Sequence, residues 1–214
     1  RSMDISQSKN VADNHDIADK TPAYDYKKTN VILIGIMGCG KTSVGKYLSY
    51  LLKKGFLDLD QIIENKLNMS IKDIFVYKGE EFFRSFEKQE IKYLDGIENH
   101  VISIGGGAIL DDENVNYIRK IGTVVWINTD LNCIVNYLYK DNHCINSRPL
   151  ISDLALKLDL QKRKQLLLER LQSLFLQRKD RYAIADIVCD VSQSLSSQVA
   201  MFLKNHIINY WETY

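Results

Sequence analysis

Apolar and polar positions alternate between two periods along this chain. Val31-Ile32-Leu33-Ile34 is a solid apolar run, the pattern of a strand covered on both faces. Lys41–Leu52 follows with Val44, Leu48, Leu51 and Leu52 on one helical face. The same reading predicts a short strand at Phe56-Leu57 and helices over Asp60–Leu67, Ser70–Tyr77 and Glu80–Ile97. It continues with strand Val101–Ile104, helix Asn114–Lys120, strand Thr123–Ile127 and helix Asp130–Tyr139. A polar stretch, Lys140–Arg148, precedes a long helical region over Leu154–Gln177. Ala185–Val188 reads as the last strand and Ser194–His206 as the last helix.

Strands alternating with helices imply parallel crossovers, hence an α/β fold: a three-layer open parallel sheet flanked by helices. In such sheets ligands bind beyond the carboxyl ends of the strands. Residues 1–29 are polar, with no apolar period, and read as a mobile N-terminal arm; Arg1-Ser2 ahead of Met3 reads as a cloning remnant. One domain is expected over 30–206, with residues 207–214 as a C-terminal tail.

Composition narrows the function classes. In 214 residues, 28 Lys and Arg stand against 27 Asp and Glu. A charge of +1 lacks the basic excess that general nucleic-acid or membrane-surface binders need. The longest apolar run is too short to span a bilayer. Cys39, Cys133, Cys144 and Cys189 are scattered, with no zinc-type spacing, and read as reduced thiols of a cytoplasmic protein. The acidic residues of the arm argue against an organelle transit peptide.

The strongest chemical signal is Gly35-Ile36-Met37-Gly38-Cys39-Gly40-Lys41-Thr42, a G-x-x-x-x-G-K-[ST] phosphate loop between a strand and a helix. Its glycines let successive N–H groups turn inward, where they and the helix N-terminus face phosphate oxygens. Lys41 adds a point charge, and the Thr42 hydroxyl can ligate Mg²⁺. The loop specifies a nucleoside triphosphate and leaves the acceptor open. Asp58-Leu59-Asp60 closes the second strand with both carboxylates on one side. One can serve the metal's hydration shell and the other an acceptor hydroxyl; a solvated turn with a helix cap is the alternative. Arg84 and Glu87 share a helix face among Phe82, Phe83 and Phe86, either as a fork steadied for an anion or as a surface ion pair. Gly105-Gly106-Gly107 permits close approach of a ligand to the backbone.

Taken together with Gly79-Glu80, Arg148-Pro149-Leu150, and Arg178 with Tyr182 and Ala185-Asp186, these motifs resemble the shikimate kinase family of P-loop kinases over about Asn30 to Val191. The resemblance implies a P-loop kinase with a mobile lid at about 140–153. It implies transfer of phosphoryl from ATP, with Mg²⁺, to the 3-hydroxyl of shikimate, for aromatic amino-acid synthesis. Asp60, Lys41 and Arg148 would be catalytic. Gly38, Cys39, Gly40, Lys41, Thr42, Ser43 and Arg148 would hold the nucleotide, and Thr42 and Asp58 the metal. Asp60, Arg84, Gly106, Gly107 and Arg178 would bind the substrate, with Arg181 left as an alternative to Arg178. Lys140 is the one basic candidate before the lid for contact with adenine. A monomer with no nucleic-acid or membrane partner is expected. A gluconate kinase of similar fold and a nucleotide-binding regulator without turnover stay open as rival readings.

Overall fold

The computed structural model describes residues 30–140, 159–192 and 194–214. The expected arm, most of the expected lid and Arg148 lie outside them. Five strands form a wholly parallel sheet in the order β2-β3-β1-β4-β5: β1 Asn30–Ile34, β2 Gly55–Asp58, β3 His100–Ser103, β4 Gly122–Thr129 and β5 Ile187–Val191. The helices are α1 Lys41–Leu52, α2 Leu59–Leu67, α3 Ile71–Lys78, α4 Glu80–Tyr93, α5 Asp112–Ile121, α6 Leu131–Lys140, α7 Leu160–Arg178 and α8 Ser196–Thr213.

The solid apolar runs have a simple cause. Along β1, Val31 and Leu33 join one core while Ile32 and Ile34 join the other. The first core takes Leu48 of α1, Leu138 of α6, Leu171 of α7 and Leu203 of α8. The second takes Ile63 of α2, Ile74 of α3, Ile91 of α4 and Ile118 of α5. With a helical layer on each face, a strand has no face left for polar residues.

Within the described residues most boundaries shift by three residues or fewer, the last strand lying at Ile187–Val191 where Ala185–Val188 is expected, and two shift by more. Helix α4 stops at Tyr93, because the chain turns at Leu94–Ile97 and Gly96 takes φ 98°. Helix α8 runs on to Thr213, through what reads in sequence as a tail. Buried Ile207 anchors that last stretch. Trp211 Nε1 donates to Thr123 Oγ1 at 2.8 Å, and Tyr210 Oη to Asp186 Oδ1 at 3.2 Å. Such contacts are tertiary and leave no periodic trace in the sequence.

The topology positions the chemistry. The chain leaves central β1 toward β2 on one side and later crosses to β4 on the other. At such a switch point the carboxyl-end loops diverge and open a crevice. The loops after β1, β2 and β3 all meet there.

Candidate active site

The phosphate loop runs from Gly35 to Gly40 between β1 and α1. Gly38 has φ 77°, and a Cβ there would stand 2.8 Å from Ile134 Cγ2 of α6, so no larger residue fits the turn. Lys41 folds back over the loop: its Nζ donates to the carbonyls of Gly35 at 2.8 Å and Ile36 at 3.1 Å. Cys39 is buried, and its carbonyl accepts from Thr129 Oγ1 at 3.1 Å, tying the loop to the end of β4. The described cysteines are free thiols.

Thr42 and Ser43 open α1 on its exposed side. The Thr42 hydroxyl donates to Asp58 Oδ2 at 2.7 Å. Asp58 Oδ1 meanwhile caps α2 by accepting from the Asp60 backbone N–H at 3.1 Å. The cap and metal readings of Asp58 are therefore compatible, since each uses a different oxygen. No cluster of His, Cys, Asp and Glu among the described residues could hold a metal alone. A hydroxyl beside one carboxylate still suits Mg²⁺, which keeps waters and phosphate oxygens among its ligands.

Two cavities flank the loop. One, of about 540 Å³, is lined by Lys41, Thr42, Asp58, Asp60 and Gln61. The other, of about 760 Å³, lies between the loop, α6, the start of α7 and the turn before α8, with Tyr137, Tyr139, Lys164 and Leu195 on its walls. Gly38, Gly40 and Ser43 border both. The second cavity was missed in the sequence, because its walls come from three distant segments with no motif.

The triple-glycine loop after β3 organises the remaining residues. Beside Gly105 stand Asp60 Oδ1 and Glu87 Oε1, beside Gly106 stands Arg178 Nη1, and beside Gly107 the Arg84 guanidinium. Any side chain on these glycines would displace those groups. The sequence candidates Asp60, Arg84, Gly106, Gly107 and Arg178 thus converge. Arg148 lies outside the described residues. Arg181 turns elsewhere: its Nη2 donates to the Leu110 carbonyl and pairs with Asp112. Of the two arginines left open in sequence, Arg178 is the one beside the glycines.

Arg84 is held as a fork by Glu87 Oε2 at 2.8 Å and Glu80 Oε1 at 3.3 Å, over the Phe83 ring. Burial works against its charge, but these two carboxylates outweigh it and hold its pKa above the ordinary value. Arg178 is only 3% exposed, and burial, with Arg84 nearby, pulls its pKa down despite Tyr182 and Glu87. Tyr182 fixes the turn after Arg178 by stacking on Trp126, centroids 4.7 Å apart. Glu87 is the residue whose burial the sequence concealed: it is wholly buried, and burial pushes its carboxyl up to about 7, helped by Asp60 and opposed by Arg84 and Arg178.

A phosphate loop packed against a glycine turn that gathers a carboxylate and two arginines defines a small-molecule kinase of the P-loop class. The shikimate kinase family model matches residues 37–207. The shikimate kinase of Sulfurihydrogenibium sp. is 38% identical over 79% of this chain and 92% of its own length. That of Persephonella marina is 39% identical over 74% and 86%. A solved shikimate kinase from Acinetobacter baumannii, in complex with shikimate, superposes with TM-score 0.73 at 30% identity, covering 85% of this chain and 93% of that one. The chain belongs to the shikimate kinase family and has shikimate kinase activity. The gluconate-kinase and inactive-regulator readings fall away with that membership.

A substitution separates the two halves of the site. Gly107→Ala places a Cβ 2.6 Å from Arg84 Nη2, so the held guanidinium must shift. Shikimate affinity is expected to drop about tenfold, short of the roughly 30-fold or more that truncating a charged contact costs. ATP affinity should stay unchanged, both read by calorimetric titration.

Proposed function

We propose that this chain transfers the γ-phosphoryl group of ATP to the 3-hydroxyl of shikimate through the residues assembled along the glycine loop. The observation that carries the reading is the row Asp60, Arg178 and Arg84 beside Gly105, Gly106 and Gly107, with Gly106 packed against Gly35 and Ile36 of the phosphate loop and Asp60 in the cavity that Lys41 and Thr42 line. A hydroxylated ring acid needs cations for its carboxylate and an acceptor for its reacting hydroxyl, and this row supplies both.

Arg84 and Arg178 bind the substrate carboxylate, and their forked donors set its orientation. Asp60, at the crevice, accepts the proton of the reacting hydroxyl or orients it. The phosphate loop binds the triphosphate with backbone N–H groups. Lys41, whose Nζ now donates to two loop carbonyls, would turn to the phosphate oxygens when the triphosphate binds. Thr42 and Asp58 would hold Mg²⁺, which neutralises charge developing on the transferred group. The larger cavity, bounded by Tyr137, Tyr139 and Lys164, is of a size to take the nucleoside. No helix among the described residues is long and apolar enough to cross a membrane. The scattered free cysteines support a reducing, cytoplasmic setting, and we read the enzyme as a monomer, which sedimentation of the purified chain tests.

The deciding experiment is ADP release coupled to a spectrophotometric readout, with ATP and Mg²⁺ against shikimate, gluconate and nucleoside monophosphates. Turnover with shikimate and none with the others is expected. Preference for gluconate or a nucleotide would overturn the acceptor assignment.

The Thr42–Asp58 pair gives a further expectation. Thr42→Ala should raise the Mg²⁺ concentration for half-maximal rate about tenfold, within the range reported when groups supporting a metal are removed. An unchanged Mg²⁺ titration would take Thr42 out of the metal's surroundings.

A further inference from the structure

Glu87 is the one wholly buried carboxylate of the acceptor cluster, and its two oxygens have unlike surroundings. Oε2 accepts from Arg84 Nη1 at 2.8 Å. Oε1 is buried with no hydrogen-bond partner, and lies against the same point beside Gly105 as Asp60 Oδ1. The charges facing it come from three elements. Arg84 lies on its own helix, with Glu80 on the far side of that guanidinium; Asp60 comes from α2 and Arg178 from α7. Tyr182 adds a neutral phenol behind Arg178. Glu90, a turn further along α4, is occupied by Lys66 at 2.7 Å.

Charge counting gives the consequence. Two guanidiniums stand against two carboxylates, Glu87 and Asp60, with Glu80 at the rim. A substrate carboxylate adds a further anion and draws both arginines toward itself. Burying that unbalanced charge is costly, and a titratable group nearby relieves it by taking a proton. Asp60 is exposed to water. Glu87 is buried and has an oxygen with room for the proton.

We propose that Glu87 is a proton-linked positioning residue, taking up a proton on Oε1 as the acid substrate docks on Arg84 and Arg178 and so releasing the arginine donors to the incoming carboxylate. The proton comes from solvent and returns there when the product leaves. This rests on the acceptor reading above. A carboxyl already held near 7 needs little further push, so its protonation is accessible at physiological pH. Because substrate binding raises this pKa further, the bound state holds more protons than the free state, and affinity falls as pH rises through and above 7.

The test is calorimetric titration of the full chain with shikimate at pH 7, in buffers of different ionisation enthalpy. The wild type should show uptake of about half a proton, as expected for a group near its midpoint, and an affinity that weakens by up to about tenfold per pH unit above it. The uncharged methyl ester of shikimate should bind more weakly and without uptake. Glu87→Gln keeps the hydrogen bond to Arg84 without the titration, and should bind shikimate with no buffer dependence and a flatter pH profile. Wild-type binding with no buffer dependence overturns the proposal, as does uptake that persists in Glu87→Gln. Should that variant fail to fold, the wild-type and ester titrations decide alone. Absence of any shikimate binding by the wild type would instead overturn the acceptor reading, a separately visible outcome.

Discussion

Asp60→Asn is expected to keep ATP binding and to lower kcat by roughly 10²–10⁴-fold, the usual contribution of a positioned acid–base group. The substitution is nearly isosteric. Asp60 sits in the exposed first turn of α2, and its backbone N–H, which the variant retains, makes the cap to Asp58. The fold and the phosphate loop should therefore stay intact. The lost element is a negative oxygen beside Gly105, where the reacting hydroxyl would find its proton acceptor. An amide oxygen can still orient that hydroxyl but is a poor base, so the loss should fall on kcat more than on shikimate affinity. Nucleotide titration and ADP release measure the two halves. Near-normal turnover in the variant would remove Asp60 from the chemistry.

The part of this site that a reader of the sequence can find is the part whose backbone carries the signal. Gly35–Thr42 is legible because the loop geometry itself demands glycines and the helix N-terminus follows at once. Asp58 and Asp60 are legible as a pair because strand alternation puts them on one side. Their roles are not, since a cap and a metal contact call for the same residue; Asp58 caps with Oδ1, and its Oδ2 accepts from the Thr42 hydroxyl. The ambiguity between Arg178 and Arg181 is of another kind. Both lie where α7 gives way to a 3₁₀ turn, Lys179–Ile184, and only packing of Tyr182 on Trp126 fixes which one faces inward. Glu87 reads in sequence as half of an i,i+3 ion pair, a surface feature in most helices; its burial arises because the glycine loop of β3 closes over it. The wall at Tyr137, Lys164 and Leu195 joins residues of three segments and was invisible for the same reason.

That packing also sets the largest expected effect on substrate affinity. Arg178→Ala should weaken shikimate binding by about 2–5 kcal/mol, the range for truncating one member of a buried charged contact. The substrate carboxylate would lose a forked donor, while Glu87 loses a cation that holds its pKa down and becomes the more readily protonated, which does not make up for that donor. Arg178 is 3% exposed and its Nε has no hydrogen-bond partner, so the guanidinium is desolvated before any ligand arrives. A pre-desolvated cation binds an anion more strongly than one that must shed water at that moment. Arg178→Lys keeps the charge without the fork and should recover only part of the loss. Arg181→Ala is the control, because its contacts run to Leu110 and Asp112 and away from the glycine loop. Its shikimate affinity should stay within about threefold, as for an exposed ion pair. Calorimetric titration of the three variants with shikimate separates the cases. If Arg181→Ala lost binding and Arg178→Ala retained it, the two arginines would have to exchange roles.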